Sequence, residues 1–177
     1  YGYADVAKRV PMDPARTLIE VASVSKTFTW TAVMQLVEQG KLDLDRDVNE
    51  YLDFEIPAKF GQPITLRHLM THTPGFEERL KNYAVPGEAP RSLGDYLRAV
   101  PPPQQVYAPG TVQAYSNYGT LLGGYIVERI SGEPFPAYIE RHVLRPLGMQ
   151  RSTFSRPVPR ALQADRKSTR LNSSHRT

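Results

Sequence analysis

The sequence predicts an α+β fold in which a short strand pair precedes a run of helices. Three observations support this. β-favouring aromatics and valines alternate roughly in YGYADVAKRV, the hydrophobic period turns helical at Ser23, and the later helical segments are separated by loops instead of strands. The chain has 177 residues, 40% of them hydrophobic, enough to bury the core of one domain or a domain and a fraction. A sheet of about two or three short strands does not close a core alone. The sheet is therefore expected to continue past residue 164, in a longer protein of which this chain is a piece cut at both ends.

Taken in order, YGYADVAKRV reads as one strand, PMDP as a turn and TLIEVA as a second short strand. From Ser23 onward, Phe28, Ala32, Val33, Leu36 and Val37 share one helical face, and Gly40 is placed for a left-handed cap. Trp30 and Met34 add apolar side chains on other faces, so this helix is expected inside the protein. KLDLDRDVNEYL reads as a connection with a brief helix and a solvated charged face, and DFEIPAKFGQP as irregular loop. Thr65 opens the compact helix TLRHLMTH, stopped at TPG. A loop rich in Pro, Gly and charge runs to about Arg91. Ser92 and Asp95 then form a capping-box-like pair for LGDYLRAV, which PPP ends. Leu121, Leu122, Tyr125, Ile126 and Ile130 mark another helix face ending at Gly132, and a further helix begins near Pro136. No internal repeat interrupts this order.

Composition excludes several function classes. There is no cysteine, which removes disulfides, thiolate metal sites and a cysteine nucleophile. No apolar run reaches the roughly 18 residues of a membrane span. Residues 165–175, DRKSTRLNSSH, match codon for codon one reading frame of a common short-read sequencing adapter, so 165–177 are read as an artefact. The four cations and one acid of that segment contribute +3 of the formal +4, leaving +1. With the basicity goes the reason to expect a nucleic acid or an anionic membrane as partner.

Two short patterns carry chemistry. Ser23 and Lys26 form Ser-x-x-Lys at the head of the first helix, where backbone N–H groups and the helix dipole favour negative charge on a reacting oxygen. The pattern alone is weak, since average residue usage gives roughly 0.7 chance matches in a chain of this length. A helix-capping serine is its plain alternative. Tyr115-Ser116-Asn117 opens a later helix after a Pro-Gly turn. A phenol is a poor base at neutral pH, with an ordinary pKa of about 10, but a neighbouring ammonium favours the phenolate. Lys26 can supply that charge, or Tyr115 can take the Ser23 proton while Lys26 relays it. The sequence leaves both schemes open. The plain alternative for Tyr115 is a core tyrosine.

Together with ITLRHLMTHTPGF and RPLGMQRST, these motifs make residues 1–160 resemble the beta-lactamase-related serine hydrolases, which include class C beta-lactamases, D-alanyl-D-alanine carboxypeptidases and esterases. The resemblance implies a beta-lactamase/transpeptidase-like fold, with a helical region inserted in an antiparallel sheet domain. On it, 1–22 are N-terminal strands, 23–150 the helical region and 151–164 the start of a return to the sheet. It also implies a roles assignment: Ser23 as acylated nucleophile, Lys26 as its proton-handling partner, Tyr115 as base or relay, and Asn117 as a ligand of Lys26 and substrate. The expected activity is hydrolysis of an amide or ester carbonyl in a small molecule or peptide through an acyl-enzyme, without cofactor, in a periplasmic or extracellular setting. The alternative is a penicillin-recognising sensor that acylates without turnover. The family's Lys-Thr-Gly or His-x-Gly segment is not found, so the recorded chain is expected to be inactive by itself.

Other patterns are set aside. His68 and His72 stand four apart on a helix, but no third ligand is placed for a metal. THTPG reads as a structural turn near the site wall, and no Ser-His-Asp triad is assigned. Gly123 and Gly124 sit inside a helical pattern, where close helix packing explains them better than phosphate binding does.

Overall fold

The computed structural model describes residues 2–78 and 92–163. The charged loop expected up to Arg91 and the segment 165–177 lie mostly or wholly outside the described residues. An antiparallel hairpin opens the chain: β1, Tyr3–Asp5, pairs with β2, Val10–Pro11. The second strand therefore lies earlier than expected, and residues 17–20 of TLIEVA form no strand. Alternating apolar residues make a strand only where an edge is available to pair with. Ile19 and Val21 instead stand 60% and 50% exposed.

A single turn of 3-10 helix, Ala22–Val24, leads into α1, Ser25–Glu38. Ser23 thus sits in the turn that feeds the helix, two residues ahead of where the α-helix begins. Ala32, Val33 and Leu36 are buried along one face. The opposite face, Thr27, Thr31 and Met34, is exposed, so α1 is half-buried, not enclosed all round. Thr27 and Thr31 satisfy their hydroxyls on the carbonyls of Val24 and Thr27, at 2.7 and 2.8 Å, and need no core partner. The helix ends as its glycine predicts. Gly40 has φ 69°, its N–H reaches Val37 O, and the Lys41 N–H reaches Leu36 O, the paired bonds of a Schellman motif.

The brief helix expected in KLDLDRDVNEYL is a 3-10 turn, Val48–Glu50, capped by Asp47. Next come α2, Leu66–Met70, and α3, Leu93–Ala99. Thr65 caps α2 by accepting the His68 N–H, while His68 Nδ1 accepts the Thr65 N–H at 3.2 Å. At α3 the Ser92 hydroxyl accepts the Asp95 N–H at 3.1 Å and donates to the Asp95 carboxylate at 2.5 Å. The longest helix, α4, Asn117–Ser131, is capped at its start by Ser116 and ended by Gly132 in the left-handed conformation. After α5, Phe135–Ile139, the backbone widens into a π turn, Glu140–Leu144, and α6, Arg160–Gln163, closes the described chain.

The core lies where α1 packs on α4, with α2, α3 and α5 against α4 as well. Leu36, Leu69, Leu97, Leu122, Ile126 and Ile139 are all buried to 2% exposure or less. Gly123 is what lets α1 and α4 approach: a Cβ there would stand 2.5 Å from Cζ3 of Trp30. Close packing is therefore the role of that glycine. The juxtaposition matters for the site, because α4 begins beside the head of α1.

Candidate active site

Ser23 is presented by a backbone that L-residues rarely adopt. Ala22, immediately before it, has φ 46°. A non-glycine residue in that region is held there by its surroundings at a cost of order 1 kcal/mol. The result turns the Ser23 hydroxyl outward at the head of α1, on an exposed residue. A backbone N–H at the head of a helix has no acceptor within that helix, so the Ser23 N–H is placed to serve a developing oxyanion.

Lys26 follows one turn later on α1, and its Nζ donates to Ser23 Oγ at 3.1 Å. Tyr115 comes from the extended segment ahead of α4, after the turn at Gly110 with φ 80°. Its hydroxyl donates to Ser23 Oγ at 2.6 Å. Asn117, the first residue of α4, accepts from Lys26 Nζ through Oδ1 at 2.7 Å. The structure thus brings all four residues singled out in the sequence into one hydrogen-bonded cluster, across 91 and 92 residues of chain. Ser116, between two of them, is the N-cap of α4 and is 1% exposed, its hydroxyl accepting the Gly119 N–H at 3.1 Å.

Two further residues grip the Tyr-Ser-Asn segment. His72 Nδ1 accepts the Ser116 N–H at 3.1 Å, and its ring stacks on Tyr115 with centroids 4.5 Å apart. Glu78 accepts from the Asn117 backbone N–H at 3.0 Å and from Asn117 Nδ2 at 2.8 Å. That bidentate hold fixes which end of the Asn117 amide faces Lys26. The sequence shows neither role. A glutamate in a charged stretch carries no signal of its own. His72 does have φ 56°, a conformation in which histidine is enriched, yet a backbone angle is not visible in a sequence.

The charges agree with this geometry. Burial opposes ionisation of Tyr115, but its neighbours Lys26 and Ser23 outweigh that and hold the phenol below its ordinary value, with Glu78 acting against them. Lys26 Nζ also lies 4.8 Å from the centroid of the Tyr115 ring. His72 is held below the usual histidine value, first by burial and then by the Lys26 charge, with Glu78 partly offsetting both. Its neutral ring must carry its proton on Nε2, because Nδ1 is accepting from Ser116. Among the described residues no three His, Asp or Glu side chains gather as for a metal ion. The Nδ1 atoms of His68 and His72 are instead each engaged with a backbone N–H. No helix among the described residues is long and apolar enough to cross a membrane. A cleft lined by Gly40, Lys41, Asp43, Asp45 and Arg67 lies at the far end of α1, about 20 Å along the helix from Ser23.

A small antiparallel hairpin followed by helices gathered around the α1–α4 pair, with hydroxyl, amine and phenol meeting at the head of that pair, defines a beta-lactamase/transpeptidase-like fold. The chain belongs to the Beta-lactamase family, whose model matches residues 1–172. It is 34% identical over 157 residues to a Beta-lactamase of Escherichia coli strain K12, covering 89% of this chain and 40% of that protein. Among solved structures, the octameric penicillin-binding protein homologue from Pyrococcus abyssi superposes with a TM-score of 0.75 at 34% identity, over 88% of this chain and 36% of that one. EstCE1, described as a hydrolase with promiscuous acyltransferase activity, superposes with a TM-score of 0.71 at 33% identity, over 83% and 42%. The chain spans 31 to 40% of the length of curated relatives it matches.

Proposed function

We propose that this chain carries the nucleophile and proton-transfer groups of a serine hydrolase acting on amide or ester carbonyls through an acyl-enzyme. The observation that carries the reading is the convergence on Ser23 Oγ of Tyr115 Oη at 2.6 Å and Lys26 Nζ at 3.1 Å. In the resting cluster the phenol donates to Ser23. Once the phenol has lost its proton to solvent, the bond reverses and the phenolate accepts from Ser23 O–H. Ser23 Oγ then attacks the carbonyl carbon as Tyr115 takes the proton. The oxyanion is held by the Ser23 N–H at the helix head. The C–N or C–O bond breaks as Tyr115 returns its proton to the leaving group; the same phenolate then takes a proton from the water that attacks the acyl carbon and passes it to Ser23 Oγ as the acid leaves. Lys26 stabilises the phenolate throughout, while Asn117 and Glu78 hold Lys26 in place.

The family relatives are named for beta-lactam, penicillin-binding and acyltransferase roles. This site is suited to the carbonyl chemistry those share, and a periplasmic or extracellular setting is part of the same proposal. Incubating the full-length protein with p-nitrophenyl acetate and with a chromogenic cephalosporin tests the reading. Burst kinetics followed by steady turnover on either substrate is expected, and a burst without turnover assigns the protein to the sensors instead. Tyr115→Phe is expected to lower turnover about 100-fold to 10,000-fold, the usual range for a lost acid–base group. Unchanged turnover in that variant removes Tyr115 from the proton path.

A further inference from the structure

His72 touches the site without belonging to the proton path, and it holds that path in three separate ways. Its carbonyl accepts the Ala114 N–H at 2.7 Å, its Nδ1 accepts the Ser116 N–H at 3.1 Å, and its ring lies against the Tyr115 ring at an interplanar angle of 30°. The three residues 114–116 are therefore fixed in register by one side chain and its own backbone. Next to them, the Thr73 carbonyl accepts the Gly110 N–H at 2.8 Å, so the turn that delivers the segment is tied to the same stretch. The His72 backbone is itself held at φ 56°, which asparagine tolerates better than alanine does.

We propose that His72 is a positioning residue for the acyl-transfer reaction, setting the plane and reach of the Tyr115 phenol as a neutral Nε2–H imidazole. The proposal rests on the reading of Ser23 and Tyr115 given above. The Tyr115 hydroxyl has to stay 2.6 Å from Ser23 Oγ for a proton to pass, and it lies at the end of a half-exposed side chain. Stacking on the imidazole restricts rotation of the ring. The bond to the Ser116 N–H restricts the backbone that carries it. Nδ1 can accept that bond only while it is unprotonated, since an imidazolium would present an N–H to an N–H. The charged and titratable groups that face the ring are Lys26 from α1, Glu78 from the same connecting segment and Tyr115 itself. Lys26 opposes protonation and Glu78 favours it.

The test compares His72→Ala with His72→Asn in the full-length protein, using p-nitrophenyl acetate as substrate and Ser23→Ala as control. Asparagine keeps an acceptor near the Nδ1 position and suits the left-handed backbone, but it neither stacks nor titrates. His72→Ala is expected to lower kcat about 10-fold to 100-fold, the scale of a misplaced reacting group, with a smaller change in KM. His72→Asn is expected to recover part of that loss. The acid side of the kcat profile should steepen below the His72 midpoint in the parent and not in His72→Asn. Long-range 1H–15N spectra should show His72 as the Nε2–H tautomer at neutral pH. Parental kcat in His72→Ala overturns the proposal, as does a folded His72→Asn no better than His72→Ala, or an Nδ1–H tautomer. If Ser23→Ala is fully active, the functional reading fails, and with it the catalytic part of this proposal. The tautomer then still decides whether His72 holds Ser116 as described.

Discussion

Ala22 at φ 46°, Gly123 beneath Trp30 and His72 beside Tyr115 each show a single residue constrained by what it must touch. For Gly123 the consequence is energetic. Gly123→Ala drives a methyl into a partly buried indole, and overpacking of this kind costs about 1–3 kcal/mol. Urea unfolding should show the loss, and a Trp30→Leu background, which removes the ring, should reduce it. If Gly123→Ala is as stable as the parent, the glycine is not there for packing. At this scale the sequence reveals residues whose chemistry is local. Ser23 and Lys26 are one helical turn apart, and Tyr115 and Asn117 flank a capping serine, so each pair is legible as a spacing. His72 and Glu78 act through bonds spanning 44 and 39 residues, to backbone as much as to side chains, and no spacing announces them.

Helices were legible as elements because their ends are written in side-chain chemistry. Thr65, Ser92 and Ser116 each accept a first-turn N–H, while Gly40 and Gly132 supply left-handed ends. The first strand was legible too, but the second was not where expected, because a strand depends on a partner that its own sequence does not contain, and TLIEVA finds none among the described residues. The exposed stripe of α1 departs from the burial its sequence predicts for a related reason. Apolar Met34 looks compatible with burial until the neighbouring elements decide which face is covered. Ser116 offers the sharpest test of an element. Ser116→Ala removes the cap of α4 and leaves the Gly119 N–H without its acceptor, so a loss of about 1–2 kcal/mol is expected in thermal or urea unfolding. The same variant should lower turnover, because α4 carries Asn117 at its first position. A stable Ser116→Ala with full activity contradicts the coupling of cap and site.

Across the whole molecule, charge makes stability depend on pH in two separate windows. His68 and His72 are both held below the ordinary histidine value, chiefly by burial. The unfolded chain therefore binds their protons first. Stability should be level above about pH 6.5 and fall as pH drops from there towards their lower folded values. Asp5, Asp45 and Glu133 are held below the ordinary carboxylate range, Asp5 mainly by a backbone N–H bond, Asp45 by Arg67 and Glu133 by His142. Their contribution is lost further down, below about pH 4. Replacing His68 by Gln, which keeps the capping box, and His72 by Asn should flatten the upper window alone. A melting temperature that falls equally between pH 7 and 5 in the double variant contradicts this assignment.

The central claim is that the hydroxyl of Ser23 is the atom that becomes acylated. Intact-protein and peptide mass spectrometry after brief exposure of the full-length protein to a fluorophosphonate or a penicillin reads this directly. One covalent adduct on the peptide containing Ser23 is expected, absent in Ser23→Ala and greatly slowed in Tyr115→Phe. An adduct of the same yield in Ser23→Ala, or one mapping to another residue, would contradict it.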